Sequence, residues 1–325
     1  MRCLNEAPIQ VGNPMKLSDH LQHEATRFYG LTCALFCILG ITFAPSAIAQ
    51  YGTAQTLAST PLRSSDLKFA AQPAEMDSKV SLSNALFAPK FEPGEKLPAL
   101  IIFHTCGGIR EEIRGWAQDA LKEKYVVLTV DAMRGMPVDC GSPPGVPHVR
   151  YVKDALDAAA HLAGLPFVDS SRISILGFSR GALVATWLAS SNVAGAIRSN
   201  APKISASVAL YPLCGIEPGP RTPPGGFLVL QEDTDRPLLI LMGGKDTETP
   251  PPFCLDRLQK LADKKAPVQW HLYPEATHCW DCASLDGYTK TSPNFGTKIV
   301  YKFDPQITDD SRTRIFSFIK QANLK

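Results

Sequence analysis

Residues 173–181 read Ile-Ser-Ile-Leu-Gly-Phe-Ser-Arg-Gly, and residues 182–188 continue Ala-Leu-Val-Ala-Thr-Trp-Leu. A short apolar run with the β-branched Ile173 and Ile175 leads into Gly177-Phe178-Ser179-Arg180-Gly181, and an apolar stretch rich in helix formers follows. The pattern predicts strand, tight turn and helix, the context in which Gly-x-Ser-x-Gly acquires chemical meaning. Gly177 and Gly181 leave room for a turn that lifts the Ser179 hydroxyl off the backbone. The amide N–H of Arg180, opening the helix, then points at any oxyanion formed on a carbon attached to Ser179. The same pattern also occurs as an ordinary glycine-rich turn in a parallel sheet. The partners available to Ser179 must decide between the two.

Working outward, strands are expected at residues 79–88, 99–103, 125–130, 204–210, 238–242 and 268–273. Helices are expected at 110–123, 149–164, 255–264 and 311–320. The run Ala99-Leu100-Ile101-Ile102-Phe103 is apolar throughout, as a strand buried on both faces should be. In 149–164, Val152, Ala155, Leu156, Ala159 and Leu162 recur at helical spacing. Strands alternating with helices predict an α/β fold with a mostly parallel sheet covered on both faces. In such sheets ligands sit beyond the carboxyl ends of the strands.

Chemically competent residues follow those ends. A serine hydroxyl is a weak nucleophile near neutrality and needs a base, usually a histidine oriented by an acid. After strand 238–242 comes Gly243-Gly244-Lys245-Asp246-Thr247-Glu248-Thr249-Pro250. After strand 268–273 comes Pro274-Glu275-Ala276-Thr277-His278. The chain order Ser179, Asp246, His278 is that of the nucleophile-elbow hydrolases. Asp246 could instead cap its turn and leave Glu248 as the acid. Among other histidines, His161 lies within a predicted helix and His271 within a strand, both as packing or surface residues. His148 follows a proline-rich loop and could line a pocket. His104 opens His-Thr-Cys-Gly-Gly after strand 99–103, where this architecture keeps its second oxyanion donor. That role falls to the backbone N–H of Cys106, and His104 is expected to hold the loop.

The N-terminal part is different material. An uncharged apolar run at 30–44 is too short for a comfortable transmembrane helix. It precedes Ala47-Ile48-Ala49, a small-residue cleavage signal, so residues 1–49 read as a secretory signal peptide cut after Ala49. Met15 would give a more ordinary start than Met1, and an uncleaved anchor is the rival reading. Residues 50–67, polar and aperiodic, form a leader, leaving 68–325 as one domain. A formal net charge of +2 with 20% charged residues gives no reason to expect nucleic acid or an anionic membrane surface as partner. After cleavage six cysteines remain: Cys106, Cys140, Cys214, Cys254, Cys279 and Cys282. An even number in an exported chain suggests disulfides, but six cysteines allow fifteen connectivities, and free buried thiols are the alternative.

Together, residues 104–108 (His-Thr-Cys-Gly-Gly), 130–135, 140–141, 177–182, 211–215 (Tyr-Pro-Leu-Cys-Gly), 243–250, 273–278 and 303–307 resemble the dienelactone hydrolase family of α/β-hydrolases. The likeness runs over about residues 97–319. It implies a single α/β-hydrolase domain that works without metal or organic cofactor and carries the Ser179–His278–Asp246 triad. One departure matters. The namesake enzymes carry cysteine where this chain has Ser179, which moves it toward a serine-using, carboxylesterase-like branch. Arg134 falls near a position where the namesakes bind a substrate carboxylate, although a pairing with Asp131 or Asp154 competes. Cysteine placement then suggests three bridges: Cys106–Cys140 beside the oxyanion loop, Cys214–Cys254, and Cys279–Cys282 beside His278. A zinc site at His278, Cys279 and Cys282 competes with the last and lacks a second ligand pair.

The sequence thus leads to an exported, periplasmic or secreted serine hydrolase acting on an ester, thioester or lactone. It needs a small-molecule or ester substrate, and no nucleic acid and no stable anchor after cleavage. Peptide or polyester cleavage on the same triad is an alternative, with residues 284–297 as the insertion able to form a lid. A binding protein that kept the fold without turnover is another.

Overall fold

Alternate residues of the run at 99–103 enter different cores, and this divides the molecule into layers. In a computed structural model describing residues 67–133, 148–216, 227–292 and 295–324, strand β2 (Leu97–Phe103) sends Ala99, Ile101 and Phe103 into one core. Leu100 and Ile102 enter the other. Successive Cβ atoms of a strand point to opposite faces, so a strand between two helical layers must be apolar throughout.

The sheet has seven strands in the order β1-β3-β2-β4-β5-β8-β9. Besides β2 they are β1 (Leu86–Phe87), β3 (Val126–Val130), β4 (Val168–Phe178), β5 (Ala206–Leu210), β8 (Leu238–Gly243) and β9 (Val268–Tyr273). Only β1 runs antiparallel to its neighbour. On one face, the core takes residues from helices α2 (His148–Ala163), α3 (Arg180–Trp187), α4 (Ser191–Ile197) and α5 (Pro252–Asp263). On the other it takes Trp116 of α1 (Glu111–Lys122) and Ile315, Phe318 and Ile319 of α6 (Pro305–Ala322). Short ribbons join β6 (Gly215–Ile216) to β7 (Phe227–Leu228) and β10 (Thr289–Thr291) to β11 (Lys298–Val300). Among the described residues no helix is long and apolar enough to cross a membrane.

Several elements differ from their predicted bounds. The strand expected at 79–88 shrinks to Leu86–Phe87, because Asn84 takes a φ of 51° and turns the chain out of the extended conformation. The last helix begins six residues earlier than 311: Asp304 Oδ1 caps it by accepting from Ile307 N at 3.0 Å, and Pro305 supplies a fixed φ at the first turn. Helix α4 escapes the pattern, being short and carrying Gly195 in its middle, yet Ser190 Oγ caps it at Val193 N. Within 284–297, the described residues form part of a 3₁₀ turn (Ala283–Leu285) and of the β10–β11 ribbon. The predicted signal peptide, nearly all of the leader, Arg134, Cys140 and the loops at 135–147 and 218–226 lie outside the described residues.

The strand register brings the chemistry together. Phe103 pairs with Gly177, Phe178 with Leu210, and Gly243 with Tyr273, so five chain segments leave the sheet at one edge. The two glycines of the central turn permit its packing. A Cβ on Gly177 would lie 2.0 Å from Gly181 O, and one on Gly181 would lie 2.3 Å from Phe103 O. Gly181→Ala is therefore expected to destabilise the fold by about 1–3 kcal/mol in urea unfolding, the usual effect of overpacking. Gly115→Ala, in helix α1 with open space around it, should be neutral or stabilise by up to about 1 kcal/mol.

Candidate active site

Ser179 occupies the single residue between β4 and α3, with φ 51° and ψ −107°. A non-glycine residue held there carries backbone strain of about 1–3 kcal/mol. Its amide donates to Leu210 O at 3.0 Å, tying the turn to β5. The residue is buried at the sheet edge, with 9% of its surface exposed.

Asp246 stands three residues beyond β8 and His278 five beyond β9. Their loops are bonded together: Gly244 N donates to Tyr273 O at 2.8 Å and Lys245 N to Ala276 O at 2.9 Å. The three sequence-selected side chains meet. His278 Nε2 lies 3.0 Å from Ser179 Oγ, and Nδ1 lies 2.7 Å from Asp246 Oδ2. Asp246 is fixed in turn, because Oδ1 accepts from the amides of Glu248 (2.8 Å) and Thr249 (2.9 Å). The Thr249 hydroxyl lies 2.7 Å from Oδ2. With Nδ1–H committed to a carboxylate, Nε2 carries the lone pair that faces the serine hydroxyl.

Burial alone would push the His278 pKa down, but Asp246 and then Glu248 outweigh it and hold the imidazole above its ordinary value. Glu248 is not the acid on Nδ1. Its Oε2 instead lies 3.6 Å from Nε2. Burial pushes Glu248 up, yet His278, Lys290 and Tyr301 together leave it below the usual glutamate range. Beneath the imidazole, Tyr211 packs edge-on with ring centroids 4.7 Å apart. Its hydroxyl donates to Asp281 Oδ1 at 2.8 Å, and Trp116 Nε1 donates to Asp281 Oδ2 at 2.8 Å. Burial raises Asp281 in spite of these two donors.

On the other side of Ser179, His104 holds its loop as predicted: Nδ1 meets Thr105 O at 2.6 Å, and Nε2 accepts from Ala132 N at 3.1 Å. Burial first, and Arg180 later, lower His104 against opposing pulls from Thr105 O and Asp131. Cys106 lies in the turn closed by Gly108 N donating to Thr105 O at 3.2 Å. Arg180 is the first residue of α3, so its amide is one of the donors a helix leaves without an internal partner. The other histidines are engaged elsewhere. His161 Nε2 meets Ala70 O, His271 packs on Tyr273, and His148 lies against Tyr151 and Trp187, where burial pushes it down to about 4.

Among the described residues, one cluster has metal-ligand character: Cys279, Asp281 and Cys282, with ligand atoms within 4.8 Å of one another. Its two sulfurs are 1.92 Å apart, and both Asp281 oxygens already accept hydrogen bonds. The Sγ atoms of Cys214 and Cys254 are likewise 2.07 Å apart. Sequence reasoning did not find the contributions of Tyr211, Thr249, Lys290 and Tyr301. The one local signal was Thr-Glu-Thr directly after Asp246.

A mostly parallel sheet with a serine on the strand-to-helix turn, and His and Asp on later strand ends, defines an α/β hydrolase. More narrowly, residues 83–322 match the dienelactone hydrolase family, and the chain belongs to it. A protein of Salmonella typhimurium named "Putative carboxymethylenebutenolidase" is 27% identical over 266 residues, covering 78% of this chain and 92% of that one. A protein of the same name from Escherichia coli is 27% identical over 221 residues, covering 64% and 76%. In structure, a butyrate-bound esterase from Thermogutta terrifontis superposes with a TM-score of 0.53 at 16% identity, covering 73% of this chain and 88% of that one. That last likeness is one of fold.

The buried cluster below the site makes its own prediction. Tyr211→Phe removes one of two neutral donors from the Asp281 carboxylate, and should lower stability by about 1–3 kcal/mol while Asp281 is ionised. A carboxyl whose pKa is raised on folding loses stability as pH rises through that range. The variant raises it further, so its deficit should shrink as pH is lowered, as read by urea unfolding at two pH values.

Proposed function

We propose that this member of the dienelactone hydrolase family is an exported serine hydrolase that cleaves a carboxylic ester, thioester or lactone through an acyl-enzyme. The observation that carries the reading is the continuous hydrogen-bonded line from Ser179 Oγ through His278 to Asp246. His278 Nε2 takes the hydroxyl proton as Oγ attacks the carbonyl carbon. The tetrahedral oxyanion is held by the backbone N–H groups of Arg180 and Cys106. His278⁺ then protonates the leaving oxygen or sulfur, the C–O or C–S bond breaks, and the acyl group remains on Ser179. Water activated by the same nitrogen releases the acid and restores the serine.

The name carried by the sequence relatives supports a lactone among the substrates, since a butenolide is an unsaturated lactone. Ser179 in place of the namesakes' cysteine supports a broader ester range. Export is supported by Ala47-Ile48-Ala49 after an apolar run, and by two cysteine pairs at bonding distance. We take both pairs as disulfides in the mature protein. Closing the 40-residue Cys214–Cys254 separation stabilises by about 3–4 kcal/mol in the chain-entropy model, and Cys214→Ser with Cys254→Ser should lose about that much.

The decisive test is hydrolysis of short-chain p-nitrophenyl esters and of simple lactones by the mature protein. Ser179→Ala and His278→Ala should each lower kcat by about 10⁴-fold or more, and Asp246→Asn by about 10³–10⁴-fold. Because His278 must be neutral to accept the proton and its pKa is raised, the acidic limb of kcat/KM should lie above the ordinary imidazole value. Wild-type turnover that persists in Ser179→Ala would overturn the acyl-enzyme. A protein that neither hydrolyses these substrates nor accepts a fluorophosphonate on Ser179 would be the binding protein instead.

A further inference from the structure

Three segments distant in sequence meet at Glu248, beside Nε2 of His278. From the loop after β8 comes Glu248, its Oε2 3.6 Å from Nε2. From β10 comes Lys290, whose Nζ lies 2.7 Å from Glu248 Oε1. Just beyond β11, Tyr301 donates its hydroxyl to Oε2 at 2.5 Å. Backbone contacts fix this arrangement: Thr247 Oγ1 donates to Lys298 O at 2.8 Å, and Tyr301 forms a parallel bridge with His278 itself. Glu248 and Lys290 are mostly covered, with side chains 12% and 19% exposed.

We infer that Glu248 is a positioning residue for the hydrolytic reaction: it faces Nε2 as Asp246 faces Nδ1, stabilises the imidazolium formed at each proton transfer, and is moderated by Lys290. This rests on the acyl-enzyme reading above. Glu248 neither takes nor gives a proton. The proton passes from Ser179 Oγ to Nε2 and on to the leaving group, while the carboxylate supplies charge. An opposite charge within about 4–6 Å favours the charged form of a titrating group, and here burial keeps solvent from screening it.

The groups facing the imidazole are few enough to name. Asp246 and Glu248 come from the acid loop, and Lys290 and Tyr301 from β10 and the residue after β11. Tyr211 comes from the end of β5, and Asp281 from the turn that follows His278. Asp281 spends both oxygens on Trp116 and Tyr211. Tyr211 and Tyr301 are held neutral by burial first and nearby carboxylates second. Glu248 and Lys290 are thus the two charges that can be altered without touching the Asp246–His278–Ser179 line.

The test compares wild type, Glu248→Gln and Lys290→Met in the mature protein. The His278 imidazole is titrated by NMR, its signal assigned as the one lost in His278→Gln, and kcat/KM for p-nitrophenyl acetate is followed against pH. Glu248→Gln should move both the titration and the acidic limb about one pH unit lower. It should also reduce kcat about tenfold with KM little changed. Lys290→Met should move both in the opposite direction. Lys290→Met leaves the Ser179–His278–Asp246 bonds untouched, so it carries the test even if Glu248→Gln folds poorly. Titrations that stay in place, or that move the same way in both variants, overturn the inference. Opposite NMR shifts in a protein that hydrolyses no ester would leave the electrostatic assignment standing and remove the proposed function beneath it.

Discussion

The whole site depends on a chain reversal completed in one residue. A buried parallel strand, β4, must become a helix that packs back on the sheet, and Ser179 is the only residue between them. Its φ of 51° is unfavourable for a side chain with a Cβ. What makes it tolerable is the absence of side chains on either flank. Gly177 and Gly181 approach each other's backbone, and Gly181 also meets the carbonyl of Phe103. The same close approach brings the amide end of α3 against the His104–Cys106 turn. Backbone strain, the placing of the Ser179 hydroxyl and the placing of two candidate oxyanion donors are therefore one constraint.

A second constraint is electrostatic. Asp246, Glu248 and Asp281 all lie near one imidazole at the covered end of the sheet. Buried carboxylates are tolerated only when hydrogen-bonded or paired, and each has a different solution. Asp246 takes two backbone amides and a threonine hydroxyl. Glu248 takes an ammonium and a phenol. Asp281 takes an indole and a phenol, both neutral, and is the one of the last two whose pKa rises. His278 pulls Glu248 down most and the Lys290 ammonium adds to it, whereas the donors on Asp281 are neutral and compensate a buried negative charge less fully.

What could be read in the sequence follows the range of each interaction. The strand ends, the elbow and the loops carrying Asp246 and His278 are set by local apolar runs and glycine positions, and a parallel sheet brings such ends to one edge. The segment at 79–88 was over-extended, because its apolar residues do not reveal the turn at Asn84. The start of α6 was missed although Asp304-Pro305 is a local capping signal. Glu248 was legible only as a rival to Asp246, and its grouping with Lys290 and Tyr301 was not visible. Its members are up to 53 positions apart, and the ribbon that delivers Lys290 is three residues wide on each strand, too short for any periodicity to show.

In the proposed acyl-enzyme mechanism, serine as nucleophile decides when those surrounding charges matter. A cysteine can rest as a thiolate beside an imidazolium, so carboxylates around the ring would stabilise the resting state as much as the reacting one. A serine hydroxyl does not ionise before attack. On that reading His278 must be neutral before attack, and Glu248 at 3.6 Å from Nε2 has Lys290 but no imidazolium to hold. The cation appears only as the Oγ–H proton moves, when the oxyanion also forms. Stabilisation given in the transition state and withheld in the ground state raises kcat instead of tightening resting interactions. The limit on this design is the raised His278 pKa itself: a stronger field would leave the base protonated at working pH. Lys290, bonded to the far oxygen of Glu248, offsets part of that field.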